Sequence, residues 1–358
     1  MLSSIILVLI ISFALSALLI KAIIKYAYNH NLFDLHTKRK IHKGDVPRLG
    51  GVAFVPVAII TFIFGCLILS SQEMITVENA IPIIGLLASI IITYIVGIAD
   101  DIKGLRYRTK FMCQFVVGLI LCLTGFLLNN FHGLLGLYVL PYSFGLCVTI
   151  FLIILSINAF NFIDGIDGLS SSIAILSFAY YSVILYLNSD YNILLPIAFI
   201  GVLLPFFYFN IFGKASRHNK TFMGDTGSTV LGLMLCILAI VINGDPQTQL
   251  LLHTNPFIIA FSPLMLPCFD VVNVVIYRLL KSKNPFNADD NHFHHKLLRL
   301  GLSQHTALVV ELIVFLFMTG TSICLSNYVG VTVVMVIMLI LWLVANALIT
   351  NVLQKRGR

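Results

Sequence analysis

Apolar runs of about 20 residues recur along the chain between short polar stretches, and a run of that length can cross the hydrocarbon layer of a bilayer as a helix. The pattern predicts eleven spans, near 2–24, 50–70, 80–99, 111–128, 138–157, 169–187, 192–210, 227–243, 257–278, 306–326 and 330–350. The expected fold is all-α, a polytopic membrane helical bundle, with residues 1–358 forming one transmembrane domain. The first run is not read as a cleaved signal peptide. No positive charge precedes it, Lys21 and Lys25 follow it and no small-residue cleavage site appears. It reads as a retained anchor with the N-terminus outside and, after eleven crossings, the C-terminus in the cytoplasm.

Composition narrows the class. With 59% hydrophobic and 10% charged residues, the chain is unlike a cytosolic enzyme, a disordered protein or a secreted disulfide scaffold. The seven cysteines lie in or beside apolar runs without CxxC spacing, and read as small packing residues.

Charge fixes the sidedness. Alternating from an outside N-terminus places 25–49, 100–110, 158–168, 211–226, 279–305 and the tail after 350 in the cytoplasm. All 22 Lys and Arg residues then fall in or beside these segments, as the positive-inside rule requires. The outer loops read as plain connections, so the chemistry is expected on the cytoplasmic face.

Five polar constellations sit there. Gly97 to Lys110 ends a span in two adjacent carboxylates, Asp100 and Asp101, followed by four basic residues. Neighbouring positions on a helix point about 100° apart, so the two acids are expected to act separately. Asn158 to Ser170 carries Asn158, Asn161, Asp164 and Asp167 with Gly165 and Gly168, and reads as a loop approaching a ligand, with Ser170 or Ser171 capping the next helix. Two amides and two carboxylates suit Mg²⁺ bound to phosphate oxygens, although turns are rich in Asn, Asp and Gly for conformational reasons alone. Phe222 to Ser228 places Asp225 and Thr226 where either would cap a helix, between glycines that open the backbone to phosphate. Asn284 to Lys296 contains Asp289, Asp290 and three histidines, His292, His294 and His295, able to bind a transition metal or to donate hydrogen bonds to a diphosphate. Asp34 to Gly51 is a basic run ending in a turn from Pro47 through Arg48 to Gly51. The mid-span acids are Asp270 and Glu311. Asp270, eight residues before Arg278, reads as structural or loop-positioning.

Taken in order, these motifs resemble the polyprenyl-phosphate N-acetylhexosamine-1-phosphate transferases, the family that starts O-antigen, enterobacterial common antigen, teichoic acid and capsule chains. They are more distantly similar to phospho-N-acetylmuramoyl-pentapeptide transferase. The resemblance runs from about Asp34 to Arg299. It implies that undecaprenyl phosphate attacks the β-phosphorus of a UDP-N-acetylhexosamine, releasing UMP, with Mg²⁺ as cofactor or Mn²⁺ in its place. It further implies Asp225 and Asn161 as metal ligands, and Asp100 as the group that takes or orients the lipid-phosphate proton, with Asp101 supporting metal or substrate. By the same resemblance Asn158, Asp164 and Asp167 line the nucleotide–sugar pocket, Lys110, His292 and His294 hold the diphosphate, and His295 and Arg48 complete the substrate-binding set. The His-x-His-His order resembles the hexosamine branch and disfavours the muramoyl-pentapeptide substrate. Gly104 stands where some relatives carry a third acid.

The implied partners are undecaprenyl phosphate, UDP-N-acetylhexosamine and the lipid bilayer, with no nucleic acid and a homodimer left open. The implied location is a bacterial plasma membrane with the active face inside. GlcNAc is the default sugar, with GalNAc and deoxy amino sugars as other candidates. Two other classes compete on the residues alone. An intramembrane prenyltransferase would want a DDxxD motif, which Gly104 breaks. A transporter would place its polar groups near mid-membrane on broken helices, whereas most acids here lie at one face.

Overall fold

The computed structural model describes residues 1–33, 46–69, 77–248, 254–282 and 291–356. The basic run from Asp34 to Lys43, Glu73, His253, Lys283, Asp289, Asp290 and Arg358 lie outside the described residues.

Thirteen helices account for most of the described residues: α1 (Leu2–Asn29), α2 (Phe54–Leu69), α3 (Val77–Lys103), α4 (Tyr107–Leu123), α5 (Tyr142–Ile163), α6 (Leu169–Leu187), α7 (Leu194–Ile211), α8 (Gly224–Gly244), α9 (Pro256–Phe261), α10 (Met265–Leu280), α11 (Phe293–Arg299), α12 (Gln304–Ser326) and α13 (Val331–Lys355). The architecture is the expected all-α polytopic bundle. A 3₁₀ turn, Ser262–Leu264, joins α9 to α10, and the pair makes one span. Ten spans among the described residues are long and apolar enough to cross a membrane, against eleven expected. The shortfall is α4, which has 17 residues and so rises about 26 Å, just short of a hydrocarbon layer of about 30 Å. It nevertheless joins both ends of the bundle. Lys110 in its first turn meets Asp225, and Leu128, just beyond its last turn, donates its N–H to Thr149 Oγ1 of α5 at 2.9 Å.

At the charged face two helices run further than the sequence suggests. α3 runs on through Asp100 and Asp101, and α5 runs on through Asn158 and Asn161, where a loop is expected from sequence. A polar residue at a membrane boundary reaches water from a helix as well as from a loop, so polarity there does not mark where the helix stops.

The core is built on α8. From Thr226 to Ile240 every residue of this helix is buried, against α3, α5, α6 and α9. Such packing needs small residues at the crossings, because lipid chains are as apolar as Leu and give helices no hydrophobic reason to associate. Gly232 lies on Ser156 of α5, whose Oγ donates to the Gly232 carbonyl at 2.7 Å. Gly201 of α7 lies against Ser12 of α1, and Ser16 donates to the Val202 carbonyl at 2.9 Å. The broad exposed apolar faces of α1, α12 and α13 are those that lipid would cover.

At the end of the bundle opposite the charged face, an antiparallel hairpin, β1 (Asn130–Leu134) and β2 (Leu137–Val139), occupies a loop expected to be a plain connection. His132, to which the sequence assigns no role, is structural there. Its Nε2 bonds the Asn243 carbonyl at 3.1 Å, while Asn255 donates to the His132 carbonyl at 2.9 Å.

Candidate active site

Segments from all five expected cytoplasmic loops meet at one end of α8. Pro47 to Gly51 pairs with Phe222 and Met223 through three backbone hydrogen bonds of 2.8–3.0 Å (Phe222 N to Pro47 O, Gly50 N to Phe222 O, Gly51 N to Met223 O). Gly51 is required by this approach, since a Cβ on it would lie 2.3 Å from Gly227 N. Behind, Asn210 of α7 ties the same segment to the loop after α5, accepting from Gly168 N at 2.7 Å and donating to the Thr221 carbonyl at 3.0 Å.

The first turn of α8 leaves N–H groups without helical partners. Sequence points to Asp225 or Thr226 as the cap, but α8 starts at Gly224, placing both inside the first turn. The cap comes instead from α3. Asp101 accepts from Asp225 N at 2.8 Å, Thr226 N at 2.9 Å and Thr226 Oγ1 at 2.6 Å. Gly224 has φ +72°, and a Cβ there would strike the Arg48 carbonyl and the Asp101 carboxylate. Likewise α6 is not capped by Ser170 or Ser171. Gly168, φ +79°, occupies the N-cap position, and Ser171 donates back to its carbonyl.

Asp100 points the other way, as the angular argument requires. Its Oδ1 accepts from Leu105 N at 2.6 Å, and its Oδ2 takes a bond of 3.0 Å from Lys110 Nζ, which also bonds Asp225 Oδ2. One ammonium group thus bridges two carboxylates that are 125 positions apart in sequence. Asn161, on the last turn of α5, faces the same carboxylate and donates to Ser228 Oγ at 3.0 Å. Asn158 lies one turn further in, donating to Gln114 Oε1 of α4 at 2.8 Å and to the Ile154 carbonyl, away from Asp164 and Asp167.

Asp164 follows the end of α5. Burial, reinforced by the nearby carboxylates of Asp225, Asp167 and Asp101, pushes its carboxyl up to about 8, with Arg48 opposing. Asp167 is paired, with Lys220 Nζ at 2.5 Å. The scarcity of cations in its own loop suggests otherwise; the cation comes from the segment before α8.

The histidines are less exposed than a polar loop would have them. His292 is the N-cap residue of α11 and His294 lies inside that helix, 5% and 1% exposed. Burial and its two histidine neighbours hold the His294 imidazole well below its ordinary range. Its Nε2 has no hydrogen-bond partner and presses on Gly165, where a Cβ would lie 2.1 Å away. His292 stacks on His294 with ring centroids 5.8 Å apart, and lies 5.5 Å from Phe162 of α5. Its Nδ1 bonds Asp270 Oδ2 of α10 at 2.7 Å. His295 packs against His294 with centroids 4.2 Å apart.

Between α3, α4, α5 and α8 a cleft opens at the acidic end of α8. Asp100, Lys110 and Asp225 are among its lining residues, and Val96, Val117 and Ile157 are apolar parts of its wall, with Gln114 and Thr93 between.

Four carboxylates, Asp100, Asp101, Asp164 and Asp225, therefore crowd one helix end with Lys110 and Arg48 as nearby cations. Among the described residues no three His, Cys, Asp or Glu side chains form a closed metal cage. The excess of hard oxygen donors nevertheless fits Mg²⁺, which takes one or two protein carboxylates and completes its octahedron with phosphate and water. Residues that the sequence does not single out here are Lys220, Gln114, Ser228 and Asn210. Each is ordinary in sequence and acquires its role through a partner from a distant segment.

Residues 83–243 match the family model described as glycosyl transferase family 4. The match contains Asp100, Asp101, Lys110, Asn158, Asn161, Asp164, Asp167 and Asp225, and ends before the histidines. The undecaprenyl-phosphate alpha-N-acetylglucosaminyl 1-phosphate transferase of Escherichia coli K12 is 30% identical over 290 residues, covering 80% of this chain and 74% of that protein. The probable undecaprenyl-phosphate N-acetylglucosaminyl 1-phosphate transferase of Bacillus subtilis 168 is 30% identical over 356 residues, covering 96% and 91%. The Salmonella typhi enzyme is 28% identical over 325 residues, 88% of this chain. With its membrane bundle and the acidic cluster at the head of α8, the chain belongs to glycosyl transferase family 4.

Proposed function

We propose that the protein transfers N-acetylglucosamine 1-phosphate from UDP-N-acetylglucosamine to undecaprenyl phosphate at the cytoplasmic face of a bacterial plasma membrane, as the first membrane step of a cell-envelope polysaccharide. The observation that carries this reading is the cleft. Its charged groups suit a phosphate head and its apolar wall suits the hydrocarbon chain that follows. The relatives' names supply the lipid and the sugar.

An oxygen of the lipid phosphate attacks the β-phosphorus of the UDP-sugar. The bond from that phosphorus to the oxygen bridging it to the α-phosphorus breaks, and UMP leaves with the bridging oxygen. Two anions have to approach, so the protein's part is to offset their repulsion and hold them in line. Lys110 sits where it can exchange its carboxylate partners for phosphate oxygens. Asp100, held by Leu105 N, orients the attacking phosphate and takes its proton where one is present. Asp101 holds the start of α8, and with it Asp225, in place. His292 and His294, against the Phe162–Gly165 corner, hold the donor diphosphate, and Asp164, Asp167 and Arg48 line the donor side. Asp225 and Asn161 would hold Mg²⁺, whose charge when bound neutralises the diphosphate and the leaving UMP.

The test incubates detergent-purified protein with Mg²⁺, undecaprenyl phosphate and UDP-GlcNAc, with UDP-GalNAc and deoxy analogues in parallel, and follows UMP by chromatography. UMP is expected only with both substrates and most with UDP-GlcNAc. Folded protein that makes none from any donor would overturn the reading.

A further inference from the structure

Asp270 lies within the span Pro256–Leu280 and is 2% exposed. A carboxylate inside a membrane helix is costly unless paired, and such residues usually serve function. Both of its oxygens are engaged by the same short segment. Oδ2 bonds His292 Nδ1 at 2.7 Å, and Oδ1 accepts from Phe293 N at 3.0 Å. Phe293 is the first residue of α11 and its N–H has no helical partner; the N-cap residue, His292, supplies no side-chain cap.

We propose that Asp270 is the positioning residue of the histidine cluster, acting through His292. A carboxylate can only accept, so the Nδ1 of His292 carries the proton and Nε2 is the nitrogen left for a ligand. The ring is fixed from three sides: by the carboxylate, by parallel stacking on His294 with 9° between the planes, and by Phe162 at the end of α5. The backbone bond to Phe293 N sets the height of α11 and so the approach of His294 to Gly165. Glu311 of α12 is 1% exposed, with Oε1 lacking a partner, and lies near enough to Asp270 to feel its charge. The assignment rests on the reading that the histidines hold the donor diphosphate, and names the residue that orients them.

The test is a double-mutant cycle on the full-length enzyme with Asp270→Asn, His292→Ala and the double variant, measuring kcat and KM for the UDP-sugar. The amide keeps an acceptor for Phe293 N while presenting a donor to the ring, which reverses the tautomer. Asp270→Asn and His292→Ala are each expected to lower kcat/KM about ten- to hundredfold, the range for breaking carboxylate–histidine partnerships. The double variant is expected to be no worse than His292→Ala alone. Multiplying losses in the double variant, or an unchanged kcat/KM in Asp270→Asn, would overturn the proposal. Should Asp270→Asn fail to fold, ring-¹⁵N histidine spectra of the wild-type protein, assigned by loss of a signal in His292→Gln, decide the point. Protonation at Nδ1 supports the assignment, and an Nε2-protonated neutral ring refutes it. A wild-type enzyme that makes no UMP would instead sink the functional reading and leave the tautomer measurement standing.

Discussion

Thr226 donates twice to the Asp101 carboxylate, from its backbone N–H at 2.9 Å and from its hydroxyl at 2.6 Å, so helix α8 is capped by a side chain of helix α3. The contact requires the two backbones to touch: a Cβ on Gly97 would lie 2.5 Å from Thr226 Cα. Adjacent acids that look equivalent in sequence are thereby divided. Asp100 faces Lys110 and the cleft, while Asp101 is committed to holding the helix that carries Asp225.

That division has a measurable consequence. Asp101→Ala leaves the first N–H groups of α8 unsatisfied and is expected to cost about 1.5–3 kcal/mol, the range for a hydrogen bond to a charged group. Asp100→Ala, which frees Lys110 to bond Asp225 alone, is expected to leave the unfolding temperature closer to wild type. Both variants should lose turnover. Equal unfolding temperatures for wild type and Asp101→Ala in detergent would show that the cap contributes nothing.

Asp164 predicts a pH dependence. Its carboxyl is raised to about 8 in the folded protein, so between its ordinary value and about 8 the folded state binds more protons than the unfolded one. Stability contributed by this group is then full at low pH and is lost as pH rises through that window. Asp164→Asn is expected to remove this slope, unfolding at a higher temperature than wild type at pH 8 and at a similar one near pH 4. Parallel stability curves for the two proteins from pH 4 to 8 would exclude such a group.

Lys110 bridges Asp100 and Asp225, and a divalent cation at Asp225 has to displace its ammonium. Lys110→Met is therefore expected to tighten Mn²⁺ binding to the substrate-free protein by about tenfold, a change of about 1.4 kcal/mol, read by calorimetry or electron paramagnetic resonance. Turnover is expected to fall in the same variant, because the cleft loses its cation for phosphate. Removing metal with a chelator should abolish wild-type UMP release, with recovery on adding Mg²⁺. Weaker Mn²⁺ binding in Lys110→Met would show that Lys110 does not compete with the metal.

The spans are legible in the sequence because an apolar run of membrane length is too long and too uniformly apolar for a soluble helix, and the charged face because every Lys and Arg sorts to one side of them. The chemical character of the acids, amides and histidines is legible as residue types. Their partners are not. Lys110 meets Asp225 across 115 positions, and Lys220 meets Asp167 across 53, pairings set by how α3, α4, α5 and α8 pack. The cap of α8 is misassigned from sequence for the same reason, since a local motif such as Asp225-Thr226 gives no sign that a side chain from another helix has taken its place. The hairpin at Asn130–Val139 escapes notice because its turn needs positive φ at Leu135 as well as at Gly136, and the irregular stretch of β1 needs it at His132 as well as at Gly133, and neither non-glycine residue signals that.

Gly165 separates close packing from backbone freedom as reasons for a glycine. Its φ lies outside the left-handed region, yet a Cβ there would lie 2.1 Å from His294 Nε2 and 2.9 Å from Cδ2 and Cε1. Gly165→Ala must therefore push the imidazole of His294 off the corner, while the backbone itself tolerates the methyl. The expected result is a raised KM for the UDP-sugar and a lowered unfolding temperature, the overpacking cost being about 1–3 kcal/mol. Adding His294→Ala removes the ring and leaves space for the methyl, so the double variant should unfold at a higher temperature than Gly165→Ala alone, without regaining donor affinity. Gly168 is the control. With φ +79° and a Cβ that would lie 2.3 Å from Ile211 Cδ1, Gly168→Ala is strained by its own backbone, and His294→Ala should not relieve it. Equal relief of both glycine variants by His294→Ala would place the strain elsewhere than at the imidazole.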